Sequence, residues 1–151
     1  MPSWPEAFKR GLISGSVASL SSTLVLALMG RRRSGSATAP TNATSHWIWG
    51  DRAGHVDGVD GRHTGLSYLI HHASAVFWAV LYERYRSAPA PKLRTLRDAG
   101  ATAALASFVD YRLTPRRLTP GFELRLPGAA LAAIFAALAL GLSARDLRNR
   151  P

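Results

Sequence analysis

Five histidines (His46, His55, His63, His71 and His72) and five acids (Asp51, Asp57, Asp60, Asp110 and Glu123) are the side chains best suited to chemistry in this sequence. His71 and His72 sit side by side in GLSYLIHHASAVFWAVLYERY (Gly65 to Tyr85), an otherwise apolar run. Imidazole and carboxylate together can ligate a divalent transition metal. They can also exchange protons near neutral pH, or simply pair as a buried hydrogen bond. Successive helical residues point about 100° apart, so the two imidazoles cannot share one partner. On a helix His72 falls on a face with Val76, Ala79 and Glu83, and His71 falls on one with Ser74, Ala75, Trp78 and Tyr82.

Several chemistries find no support in the residue pattern. With no cysteine, disulfides, thiolate catalysis and Cys-ligated zinc or iron–sulfur centres are excluded. Neither an HxxxH nor an HExxH pair occurs, and Ser67, Ser74 and Ser107 lie in no GxSxG elbow. The glycines between Gly50 and Gly61 fit neither a phosphate-binding loop nor a dinucleotide fingerprint. Haem held between two helices would need facing histidines, and only one apolar block carries any. No cofactor is therefore expected. The alternative is a divalent transition metal on His71, His72 and Asp110.

The elements that must position these residues are read from the segregation of apolar and basic residues. Mean hydropathy is only +0.01, yet apolar blocks alternate with arginine-rich ones. Net charge is +10, which on a soluble chain would raise nucleic-acid binding. The charge clusters instead at the block edges, in Arg31 to Arg33, Glu83 to Arg86, Lys92 to Arg97, Arg116–Arg117 and Arg145 to Arg150. That is where cations anchor helix ends at a lipid surface, so the expected partner is a lipid bilayer and not nucleic acid.

Four spans are expected, at about 11–30, 66–82, 96–113 and 126–144, each near the roughly 20 residues a helix needs to cross a bilayer. Arg31 to Arg33 directly after the first apolar block favours a span over a secretory signal. The third block is charge-free only from Ala99 to Val109. Gly11, Gly15, Ser19 and Thr23 recur every four residues, as do Ala129, Ala133, Ala137 and Gly141. Such small-residue stripes let helices approach closely, either the first against the fourth or one copy of the chain against another as a homo-oligomer.

The 34–64 loop is expected to be a Ser/Thr-rich linker leading to a segment that lies back on the membrane or caps the bundle, because Trp47, Ile48 and Trp49 are costly to leave in water. It carries the loop candidates His46, Trp47, Trp49, Asp51, His55 and His63. Four spans put His71, His72 and Asp110 at comparable depth on the loop side. Lys and Arg divide ten against nine between the two sides, which leaves orientation open.

The tail ARDLRNR (Ala144 to Arg150), the LTPGFE segment (Leu118 to Glu123) and a histidine-bearing second span ending in YER (Tyr82 to Arg84) resemble the YagU-type family of bacterial inner-membrane proteins. The order of features is similar over most of the chain, although the long loop does not match. The resemblance implies a multi-pass inner-membrane protein with no established biochemical activity, linked to acid tolerance, with cytoplasmic termini. It carries no catalytic residue over to this sequence.

The expectation is thus an all-α, four-transmembrane-helix bundle forming a single membrane domain with one long extramembrane loop. Its function would be structural or stress- and pH-related, with a His71, His72 and Asp110 polar cluster at one membrane face. The alternative is a metal-binding membrane enzyme or small transporter subunit using the same cluster. Ionisable residues are absent from the first and fourth blocks, which counts against transport.

Overall fold

Four long helices carry the fold in the computed structural model, which describes residues 1–86 and 89–148. They are α1 (Trp4–Ser34), α2 (Leu66–Tyr85), α3 (Lys92–Phe108) and α4 (Gly128–Arg148). Short helical turns fill the connections between α1 and α2 and between α3 and α4, and the described residues contain no strand. The end of the RDLRNR tail, residues 149–151, lies outside the described residues.

The helix ends follow local rules. Ser3 accepts a hydrogen bond from the Glu6 amide at 3.4 Å, with Pro5 in the first turn, so α1 opens as a capping motif with a pre-set proline. Glu6 then pairs with Arg10 one turn on. At the other end Arg31 to Arg33 complement the helix dipole, and Gly35, at φ +76°, lets the chain leave through a left-handed residue. Pro91 and Pro127 precede α3 and α4, their carbonyls accepting from Thr95 and from Ala130 and Leu131. The last turn of α3 widens into a π-turn at Val109–Leu113 that contains Asp110. Pro115 ends it.

Of the four expected spans, α1 and α4 are long and apolar enough to cross a membrane. α2 has the length, at 20 residues, but its two imidazoles dilute its apolar character. α3 has 17 residues and begins with the charged sequence Lys92-Leu93-Arg94. Only 33% of the most apolar window of α1 and 39% of that of α4 are buried, whereas a helix in a soluble core would be mostly covered.

The chain divides into two compact units. The first comprises Met1–Ser22, His72–Ser107 and Phe135–Pro151. Its core is small: Ala18, Ala75, Ala79, Ala99 and Ala103 surround Tyr82, Leu138 and Leu142. Backbones meet directly here. A Cβ on Gly15 would stand 2.6 Å from Val76 Cα, one on Gly11 would stand 2.9 Å from Val80 Cα, and one on Gly141 would run into the Ala18 backbone. The glycines of the first stripe therefore face α2, while the α4 stripe meets α1 through Gly141. Ala129 is exposed and Ala133 half-buried, because a four-residue spacing rotates about 40° per repeat and drifts off the contact.

The second unit comprises Thr23–His71 and Phe108–Ile134, with Leu26, Phe122, Leu126, Ala130 and Ile134 at its core. The long loop differs here from the expected linker. From Ala39 to His46 every residue is buried, folded into consecutive short helical turns (Ala39–Asn42, Ala43–Ser45 and His46–Trp49). The Asn42, Thr44 and Ser45 side chains donate to backbone carbonyls rather than to water. That is how a polar segment can be packed without cost to its donors.

Candidate functional site

The polar density of the second unit gathers around Asn42, which is fully buried. Its Nδ2 donates to the carbonyls of Val56 at 3.0 Å and Gly58 at 2.7 Å, while its Oδ1 accepts from Thr64 Oγ1 at 2.8 Å. Its backbone carbonyl accepts from Ser45 Oγ at 2.7 Å and Ser67 Oγ at 3.2 Å. Through its side chain Asn42 ties Val56 and Gly58 of the loop to Thr64, and through its backbone carbonyl it holds Ser67 at the start of α2. Asn42 is the residue that sequence reasoning missed. The only signal was its place in the Asn42-Ala43-Thr44 glycosylation pattern, a use its burial forbids in the folded chain.

A second strand of the network joins the loop to the Thr114–Leu126 connection. Thr44 Oγ1 donates to the Pro120 carbonyl at 2.6 Å, and Trp47 Nε1 donates to the Thr119 carbonyl at 2.7 Å. His46 places Nδ1 2.8 Å from the Ala43 carbonyl and Nε2 3.3 Å from that of Arg116. Thr119 Oγ1 in turn donates to Glu123. Gly121 makes this contact possible: its φ is +84°, and a Cβ there would lie 2.7 Å from the Ala43 carbonyl oxygen. Arg125 pairs with Asp57, whose carbonyl receives Ser36 Oγ at 2.7 Å and Thr38 Oγ1 at 2.9 Å.

The expected site residues fall as follows. His46 and Trp47 are structural members of this network. Trp49 is partly exposed and lies under the Arg62 guanidinium, 3.9 Å from its ring centroid, while Ile48 beside it is 54% exposed. Asp51 and His55 are exposed on the following turn. His63 is half-buried and pairs with Asp60 at 2.8 Å. Asp60 caps the Gly61–Gly65 turn, accepting from the His63 backbone N–H. That bond first, and the His63 ring second, hold the Asp60 carboxyl below its ordinary pKa.

His71 is half-buried and meets Phe122 edge to face at 5.6 Å. The face it shares with Ala75, Trp78 and Tyr82 is the buried one of α2. Asp110, also half-buried, lies near enough to Glu123 for their charges to interact. His71 thus packs on the Phe122–Glu123 turn of the second unit. His72 belongs to the first unit. Among the described residues no three His, Asp or Glu side chains stand together as a metal-ligand set.

The first unit holds a different polar cluster. Glu83 is only 3% exposed, and its carboxylate takes Arg86 Nε at 2.9 Å. Asp146 of α4 approaches the same guanidinium at 2.8 Å, and the Tyr82 ring lies 5.5 Å from it. Burial works against the Arg86 charge, but the Glu83 hydrogen bond and the two nearby carboxylates outweigh it and hold the pKa above its ordinary value. This arrangement clamps the end of α2 to the last turns of α4. Removal of one partner would strand a buried charge.

No family model, curated protein or solved structure matches the chain.

Proposed function

We propose that the chain is an integral protein of a bacterial inner membrane that crosses the bilayer four times, and that its role is structural or pH-responsive rather than catalytic. The observation that carries this reading is the inversion of burial. Alanine, glycine and serine make up much of the buried interior of the first unit, while Ile13, Val17, Leu20, Leu24 and Leu28 stand 39–62% exposed along one stripe of α1. Leu69 and Phe77 on α2, Leu105 and Phe108 on α3, and Leu140 on α4 do the same, each more than half exposed. In water this surface would drive aggregation; in lipid it is the natural outer layer, and close small-residue packing holds the helices together. α2, at about 30 Å by its residue count, matches the hydrocarbon thickness.

The role proposed for the loop-side polar residues is a lock. Asn42, His46 and Trp47 close the folded loop by hydrogen bonds, His71 packs on the Phe122–Glu123 turn, and Asp110 is the carboxylate assigned to the same lock. His46, His63 and His71, histidines of the second unit, are what the pH-responsive part of the reading rests on. The order of features shared with the YagU-type family supports the same reading, and with it cytoplasmic termini.

Topology reporters fused after Ala88 and after Pro151 test the four crossings. Both fusions should report the same, cytoplasmic side. Opposite sides would remove α3 as a span and with it the proposed arrangement.

A further inference from the structure

At the end of α2 the Arg84 guanidinium lies between two aromatic rings of the first unit. It is 5.2 Å from the Trp4 centroid and 5.4 Å from that of Tyr85, and the two rings meet edge to face at 6.1 Å. The rings themselves are open to the surroundings, Trp4 51% and Tyr85 62% exposed. Nε and Nη1 of Arg84 are buried and have no hydrogen-bond partner. The described side-chain carboxylates of the unit are engaged elsewhere. Glu6 holds Arg10, Glu83 and Asp146 hold Arg86, and Asp98 holds Arg97.

Arg84 is therefore a cation with unspent donors and, among the described residues, no carboxylate in ion-pair reach. A planar guanidinium fork is the best side-chain match for a phosphate, through paired charge-assisted hydrogen bonds. Trp and Tyr favour the headgroup level of a bilayer, and the last turn of a 20-residue span falls at that level. Phe8 and Leu12 follow Trp4 at one-turn intervals along α1 and are 53% and 44% exposed. They make an apolar track running from the ring pair toward the bilayer interior.

Resting on the membrane reading above, we propose that Arg84, Trp4 and Tyr85 bind the phosphate of an anionic phospholipid, one of whose acyl chains lies along Phe8 and Leu12. The guanidinium supplies the charge and the donors. The rings shield that charge from water and fix its depth. A zwitterionic lipid brings its own cation to the phosphate and gains less from Arg84.

The test is lipid retention by full-length protein in nanodiscs of equal phosphatidylglycerol and phosphatidylcholine, read by native mass spectrometry. Wild type should hold phosphatidylglycerol preferentially, and Arg84→Gln should lower that preference roughly fivefold, the worth of one near-surface cation. Arg94→Gln should leave it unchanged. If Arg84→Gln does not fold, Arg84→Lys, which keeps the charge and loses the fork, should still lower it. Equal preference in wild type and in a folded Arg84 variant overturns the proposal, as does displacement of the lipid by inorganic phosphate. Alkaline carbonate extraction separates the two readings. Release of wild type from membranes sinks the membrane reading, whereas full retention without phosphatidylglycerol preference sinks the lipid site alone.

Discussion

Asn42 does for the folded loop what no single charged residue does. Both of its amide hydrogens are given to carbonyls and its oxygen accepts a hydroxyl, so Asn42→Asp, although nearly isosteric, would turn carboxylate lone pairs against two carbonyl oxygens. A loss of about 2 kcal/mol is expected from the buried groups left unsatisfied. Thermal unfolding in mild detergent should show it, and an unchanged midpoint would remove Asn42 from the centre of the network. Asp110 is a separate case. If it serves the lock by hydrogen bonding, Asp110→Asn should retain most of the stability and Asp110→Leu should lose about 1–3 kcal/mol, since the amide keeps bonding capacity and leucine has none. Equal loss in both variants at normal expression would point to charge chemistry.

Between helices, the controlling quantity is backbone distance. Gly15 lies where a Cβ would meet the Val76 Cα, so Gly15→Leu should force α1 and α2 apart and cost about 3 kcal/mol, at the upper end for overpacking a close contact. Ser16→Leu, one position round the same helix and half-exposed, should cost little. The two variants compared by unfolding in the same detergent check the point, and equal cost would mean the helices are not in backbone contact. Much of this was legible in the sequence. The four apolar blocks correspond to four helices, and the glycine spacing in α1 announced close packing. The partner of that stripe was not legible, because a one-dimensional spacing says which residues share a face and not which neighbour meets it. The folded state of the Ala39 to His46 stretch was not legible for a related reason. Ala39 to His46 has no apolar periodicity, and its order comes from side-chain bonds to carbonyls far along the chain, such as Thr44 to Pro120 and Trp47 to Thr119. The Glu83, Arg86 and Asp146 cluster was likewise hidden, its members reading as ordinary flanking charges until α4 brings Asp146 to Arg86.

For the molecule as a whole, the segregation of charge and the inversion of burial describe one design. Basic residues gather at helix ends, large aliphatic side chains line the outside, and each compact unit closes around its own set of contacts. The alanine-rich core of the first unit has a consequence for what holds it together. A core in which small residues surround only Tyr82, Leu138 and Leu142 withdraws less hydrocarbon from any solvent than one built of large side chains, so expulsion of water contributes less to helix association there. Cohesion must come from the number of atoms in van der Waals contact, which falls steeply with any added gap. Such an assembly has little tolerance at its contacts and wide tolerance on its surface. Leucine, isoleucine, valine and phenylalanine should interchange freely on the outward stripe of α1, while the smallest enlargement at Gly11, Gly15 or Gly141 is felt at once.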